Sequence, residues 1–207
     1  MQLKNLKTNF LGRNIFYYKT IDSTQKEIWR RVDDDKIESG TLIFADIQTG
    51  GIGTHGRIWH TDEKNNIAFS FYLKLNCDII TLSGLTKKIA EIIIRIFKDK
   101  YRINLQIKEP NDIYYNEKKL GGILSETRLI ANKVKHLVIG IGINTNKEYF
   151  PEDIEGKATS IIKEFGVTVN TKEFIEEFCN RFEIEIMKRV SKSWKQHFYS
   201  QVKVHKL

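Results

Sequence analysis

A chain of 207 residues is long enough for one well-filled core and at most a small appendage. Its 41% apolar and 29% charged residues fit an ordinary globular domain, and no apolar run approaches the roughly 20 residues of a membrane-spanning helix. A net charge of +8 favours anionic partners, and only two prolines leave no Pro-rich linker to divide the chain.

The opening stretch, Met1 to Phe10, is polar and lacks the continuous apolar core of a secretion signal, so a cytoplasmic location is expected. Ile15–Lys19 predicts a strand. Asp22-Ser23-Thr24 then supplies capping residues for a helix over Gln25–Val32, where Ile28, Trp29 and Val32 share one face. Asp33–Glu38 reads as a charged loop, and Thr41–Ile47 as a buried strand. A Gly-rich loop over Gly50–Asn66 precedes a strand at Ile67–Leu75. Helical spacing of Leu82, Leu85, Ile89, Ile92, Ile93 and Ile96 predicts a helix over Leu82–Phe97. A short strand at Leu105–Lys108 follows. Asp112–Tyr115 and Leu120–Glu126 flank Asn116-Glu117-Lys118-Lys119 as a β-hairpin, with both lysines read as solvated at its tip. Leu137–Ile143 predicts another strand and Glu173–Val190 a final helix. Strands arrive in clusters with helices between them, which indicates an α+β domain with a mixed β-sheet and packed helices over 1–190. Residues 191–207 form a basic tail. It reads either as a solvated surface or as a remnant of a further small domain. Cys77 and Cys179 read as buried thiols, with a disulfide as the alternative, and no Cys/His spacing marks a metal site.

Two segments carry chemistry. In Gln48–Trp59, Gly51, Gly53 and Gly56 satisfy G-x-G-x-x-G, but no helix follows, so a dinucleotide-binding turn is excluded. Four glycines between Gly50 and Gly56 either make a flexible surface loop or let backbone N–H groups approach an anion, with Arg57 adding charge. In Lys108-Glu109-Pro110-Asn111-Asp112, Pro110 fixes a bend between strands and Lys108 ends its strand. That lysine is either solvated or a fixed ammonium for a carboxylate or phosphate. Asn111 and Asp112 serve equally well as turn formers.

Taken in order, Asp22-Ser23-Thr24, the Gln48–Trp59 loop, Lys108–Asp112, Gly121-Gly122-Ile123-Leu124 closing on Glu126, and Gly140-Ile141-Gly142-Ile143-Asn144 resemble the biotin protein ligases. The resemblance implies a class II synthetase-like biotin/lipoate ligase catalytic domain. Such an enzyme activates biotin with ATP and Mg²⁺ to biotinyl-5′-AMP. It then passes biotin to a lysine on the biotin carrier domain of acetyl-CoA carboxylase or another biotin-dependent carboxylase. Carried over position by position, it implies Ser23, Thr24, Gln25, Gln48, Gly51, Ile52, Gly53, Thr54, Lys108 and Gly122 at biotin. Gly53, Arg57, Trp59, Asn111 and Asn144 fall at the nucleotide, with Lys108 and Arg57 catalytic and no residues dedicated to a metal. Asp112 is implied only as an aid to Lys108 or Mg²⁺.

Two departures stand out. Ile52 and Thr54 occupy positions where the family's loop carries arginines, and Glu109 stands where it has tryptophan. The start of the chain leaves no space before Ile15 for the family's helix-turn-helix module, so no specific DNA binding is expected, and no membrane partner. The resemblance also leaves a homodimer open. Three alternatives remain: a lipoate or octanoate ligase of the same superfamily, a nucleic-acid-binding protein suggested by the basic charge, and a non-catalytic biotin binder.

Overall fold

The computed structural model describes residues 3–61 and 66–189. Seven strands form one mixed sheet in the order β1-β2-β3-β7-β6-β5-β4. They are β1 Ile15–Ile21, β2 Leu42–Gln48, β3 Ile67–Cys77, β4 Gln106–Lys108, β5 Asp112–Tyr115, β6 Lys118–Ile130 and β7 Lys133–Ile143. Only β1 and β2 run parallel; the other described pairs are antiparallel. The parallel pair is joined by helix α1, Thr24–Asp33, as a crossover between parallel strands requires. Helices α2 (Leu85–Tyr101), α3 (Ile161–Phe165) and α4 (Thr171–Arg189) complete the set. The expected α+β class with a mixed sheet is the one observed.

The two faces of the sheet have different uses, and period-two alternation assigns them. Phe69, Phe71 and Leu73 of β3, with Leu137, Ile139 and Ile141 of β7, join α2 and α4 in the main core. Their alternates Tyr72 and Val138 pack with Ile28 of α1 on the other face. Ser70, Gly140 and Gly142 also lie on that second face. Three small residues on adjoining strands leave room there for the first turn of α1 and, at Gly142, for the Trp59 ring.

Helix α2 begins at Leu85 rather than at the expected Leu82. Gly84 adopts a left-handed conformation (φ 70°), and Ile79–Leu82 form a separate 3-10 turn. The last helix starts at Thr171, two residues early, where Asn170 Oδ1 accepts from the Lys172 and Glu173 N–H groups. Short α3 has no counterpart in the sequence expectation; at five residues it is too brief to show a period. Val190 and the basic tail 191–207 lie outside the described residues. Cys77 and Cys179 are both buried and unlinked.

Two carboxylates of α4 hold the N-terminal segment, Glu176 at Asn5 and Glu183 further along. Glu183 of α4, 5% exposed, accepts from the Asn9, Phe10 and Leu11 backbone N–H groups and from Asn9 Nδ2. Removing it strands buried donors. We expect Glu183→Ala to destabilise the fold by about 3 kcal/mol. A urea titration checks this, and an unchanged midpoint would contradict it.

Candidate functional site

Two cavities adjoin on the α1 face. The first, of about 460 Å³, has its polar end at the start of α1. Ser23 caps that helix, its hydroxyl accepting from the Lys26 N–H at 3.4 Å. The Arg30 fork on both oxygens of Asp22 steadies the same turn and holds that carboxyl down to about 2. Gln48, at the end of β2, reaches in from the other side. Its Oε1 accepts from Thr24 N–H at 2.8 Å and Thr24 Oγ1 at 3.1 Å, and its Nε2 donates to Thr61 Oγ1 at 3.3 Å. Ser70 Oγ lies 2.8 Å from Thr24 Oγ1. Hydroxyls and amides are thus fixed by one another, as buried polar groups must be.

Two polar atoms here break that rule: Gln25 Oε1 and Trp59 Nε1 are buried without a partner. One is an acceptor and the other a donor, and both residues line the first cavity. A ligand carrying a hydrogen-bond donor and an acceptor fits such a hollow better than a plain alkyl chain.

Trp59 arrives there through the glycine loop, which is itself a hairpin. Isolated bridges pair Gln48 with Thr61 and Ile52 with Ile58. The Trp59 N–H donates to Gly51 O at 2.9 Å, and a Cβ on Gly51 would lie 2.4 Å from Trp59 O. Across the gap, a Cβ on Gly142 would meet the indole at 2.4 Å. These two glycines therefore permit a close approach of Trp59 rather than of an anion. Gly53 differs from expectation in the same way, because its N–H already donates to Arg57 O at 2.7 Å. It still lines both cavities, as do Thr54 and Trp59.

The second cavity, of about 890 Å³, is broader. Arg57 and Asn144, which the resemblance puts at a nucleotide, line it together with Lys147, Phe150, Ile154 and Lys157 from the segment after β7. Asn144 is 6% exposed and is anchored by its backbone: its N–H donates to Leu120 O and its carbonyl accepts from Ile161. Asn111, expected at the nucleotide, lines the first cavity instead and donates from Nδ2 to Ile123 O at 3.0 Å. Ile52 and Gly122 line the first cavity, whereas Gly51 lines neither.

The lysine expectation needs correction. Lys108 is exposed, lines neither cavity, and lays its ammonium over the Tyr114 ring at 4.8 Å. The cation between the cavities is Lys119, which lines both and donates to Asp112 Oδ1 at 2.6 Å. A bulge explains why. The β5–β6 register shifts between Ile113 and Tyr114, so Lys119 pairs with Tyr114 while Gly121 pairs with Ile113. Strict alternation back from Gly122 would place Leu120 and Lys118 on the site face. The extra residue reverses the parity, so Leu120 enters the core with no exposure and Lys119 turns to the site. Glu109, where the family has tryptophan, points to α2 instead; the Lys87 ammonium at 2.5 Å holds its carboxyl below the usual range.

Sheet, loop and helix α1 define an α+β domain with two adjoining cavities on one face of its sheet. A family model described as the Biotin/lipoate A/B protein ligase family matches residues 17–144. The chain is 33% identical over 180 residues to the bifunctional ligase/repressor BirA of Bacillus subtilis, covering 86% of this chain and 55% of that one. A structure of the biotin protein ligase from Aquifex aeolicus in complex with biotin and ATP superposes with a TM-score of 0.72. It is 30% identical, covering 91% of this chain and 77% of that one. The Leishmania major ligase with biotinyl-5-AMP shares the fold, with a TM-score of 0.64 at 22% identity, covering 94% of this chain and 84% of that one.

The chain belongs to the biotin/lipoate A/B protein ligase family. It spans about half the length of the curated BirA relatives it matches.

Proposed function

We propose that this domain catalyses biotin protein ligation. It would activate biotin with ATP to biotinyl-5′-AMP and then transfer biotin to a lysine of a carboxylase biotin carrier domain. The observation that carries this reading is the meeting of a polar-ended cavity with a broader, cation-lined one at Lys119. Ser23, Thr24, Gln48 and Ser70 form a hydroxyl-and-amide cluster suited to a ureido head. Ile52, Trp59 and Leu124 offer apolar wall to the rest of the ligand. The biotin carboxylate would then reach Lys119, and the α-phosphate of ATP would approach from the other side.

The chemistry follows from charge. A biotin carboxylate oxygen attacks the α-phosphorus and pyrophosphate leaves; both reactants are anions. Lys119 faces the shared boundary, where it offsets charge on the pentavalent centre, and Asp112 holds its ammonium in place. Arg57 and Lys157 line the side where the remaining phosphates would lie. Magnesium, which accompanies ATP in such transfers, would ride on those phosphates: among the described residues no group of three His, Cys, Asp or Glu side chains gathers to hold a metal. In the second step a carrier lysine amine attacks the acyl carbon and AMP leaves.

The first cavity favours biotin over lipoate, since a dithiolane or alkyl chain would leave Gln25 Oε1 and Trp59 Nε1 unpaired. Pyrophosphate exchange into ATP separates the two. We expect exchange that depends on biotin and resists excess lipoate; exchange driven by lipoate would favour the sister activity. Nucleic acid is the less favoured partner, because Arg57, Lys119 and Lys157 gather around one cavity that adjoins the polar-ended one rather than along an exposed stripe.

Thr54 lines both cavities where relatives of the resemblance carry arginine. A guanidinium there would add charge-assisted bonds to the adenylate phosphate. Thr54→Arg is expected to slow adenylate release by roughly tenfold or more. Equal release from both proteins would contradict this account of the loop.

A further inference from the structure

Gln25, on the first turn of α1, is 3% exposed, and its amide lies between unlike neighbours. Nε2 stands 3.0 Å from Glu126 Oε2 and 3.4 Å from the Val138 carbonyl. A carboxylate and a carbonyl are both acceptors, so the amide must turn its NH₂ toward them. Its oxygen is thereby directed the other way, against Gly140, where an added Cβ would lie 2.7 Å from it. Gly140 and Gln25 both line the first cavity, and Gln25 Oε1 is buried with no partner.

Glu126 is fixed in turn. Its Oε2 accepts from Trp29 Nε1 at 2.7 Å. The Arg128 guanidinium lies over the Trp29 ring at 4.1 Å and is ion-paired with Asp33. The cluster joins the outer face of α1 to β6 and sits behind the cavity rather than in it. Glu126 is absent from both cavity linings, so it acts on a ligand only through Gln25.

We propose that Glu126 is a positioning residue for ligand choice, presenting Gln25 Oε1 as an acceptor that only a ligand with an N–H at that depth can satisfy. The inference rests on the ligase reading above and deepens it. A cyclic urea has two such N–H groups; an alkyl chain or dithiolane has none. A ligand that places an oxygen or methylene there leaves a buried carbonyl unpaired and binds roughly 10- to 100-fold more weakly.

The test uses the full chain and isothermal titration with biotin and with two cyclic carbamate analogues, each replacing one ureido N–H by oxygen. Wild type is expected to bind one of the two analogues roughly 10- to 100-fold more weakly than biotin. Glu126→Gln keeps shape but provides both a donor and an acceptor, so the Gln25 amide is free to turn and offer its NH₂. In that variant the preference for biotin over the same analogue should shrink to within about threefold, as a coupling between ligand atom and residue requires. ATP binding and the unfolding midpoint should stay near wild type. Undiminished discrimination in Glu126→Gln overturns the proposal, and so does wild-type binding of both analogues as tight as biotin. A wild-type protein that binds neither biotin nor its analogues overturns the ligase reading itself, and this inference with it.

Discussion

Lys119→Ala is expected to lower the rate of biotin-dependent adenylate formation by about 10²- to 10³-fold, the range typical when one preorganised group facing the developing charge is removed. Lys108→Ala should leave it within a few-fold. The contrast follows from placement. Lys119 lines both cavities and is held at 2.6 Å by Asp112, so its ammonium is already oriented at their boundary, where the proposed reaction would bring carboxylate and α-phosphate together. Lys108 sits on the same hairpin system, but its ammonium rests over Tyr114 and faces solvent. Because its charge already resides in water, its removal changes little at the reacting atoms. Single-turnover measurement of the AMP adduct in the two variants checks the pair. Equal losses would return the role to Lys108, and no loss in either would remove both from the chemistry.

Gly142→Ala should be nearly as damaging for a different reason. The added methyl would fall 2.4 to 2.7 Å from three atoms of the Trp59 indole, a bulky ring with little freedom to give way. Trp59 is tied at its backbone to Gly51, so the indole must swing rather than slide. It lines both cavities, and displacing it by about an ångström deforms each. Misplacement on that scale costs on the order of 10²-fold in rate. Overpacking adds roughly 1–3 kcal/mol of lost stability. Titration with biotin and with ATP separately should show both weakened. A Gly142→Ala protein with both affinities intact would mean that the indole does not shape the wall.

The sequence was most legible where periodicity and capping chemistry agree. Ser23 stands as the cap of α1, and the alternating residues of β3 and β7 divide between core and site as period two requires. The cluster of Thr24, Gln48 and the loop near Trp59 could likewise be anticipated as one site, because the motifs were grouped by resemblance. What could not be read was parity after a bulge. Nothing local in Lys118-Lys119-Leu120 marks the extra residue, so both lysines read as solvated at a hairpin tip and the ligand-facing role falls to Lys108 by resemblance. Ser70 was hidden for another reason: a lone serine in the apolar run Ile67–Leu75 looks like dilution of a strand, and its meaning appears only beside Thr24. The second cavity's far wall, Lys147 to Lys157, belongs to an irregular segment with no period to detect. The glycines of the loop stand out in the sequence, but Gly51 serves a tight approach to Trp59, and the Gly53 N–H is already engaged.

The central claim is that two adjoining cavities bring a carboxylate and a nucleotide together at Lys119. Isothermal titration with biotin, repeated in the presence of ATP and Mg²⁺ with the nucleotide products followed, tests it most directly. The account predicts saturable biotin binding alone, and biotinyl-AMP with pyrophosphate once ATP is added. Biotin binding without any AMP-linked product would contradict it, leaving a biotin-binding relative whose second cavity does not deliver an activated phosphate.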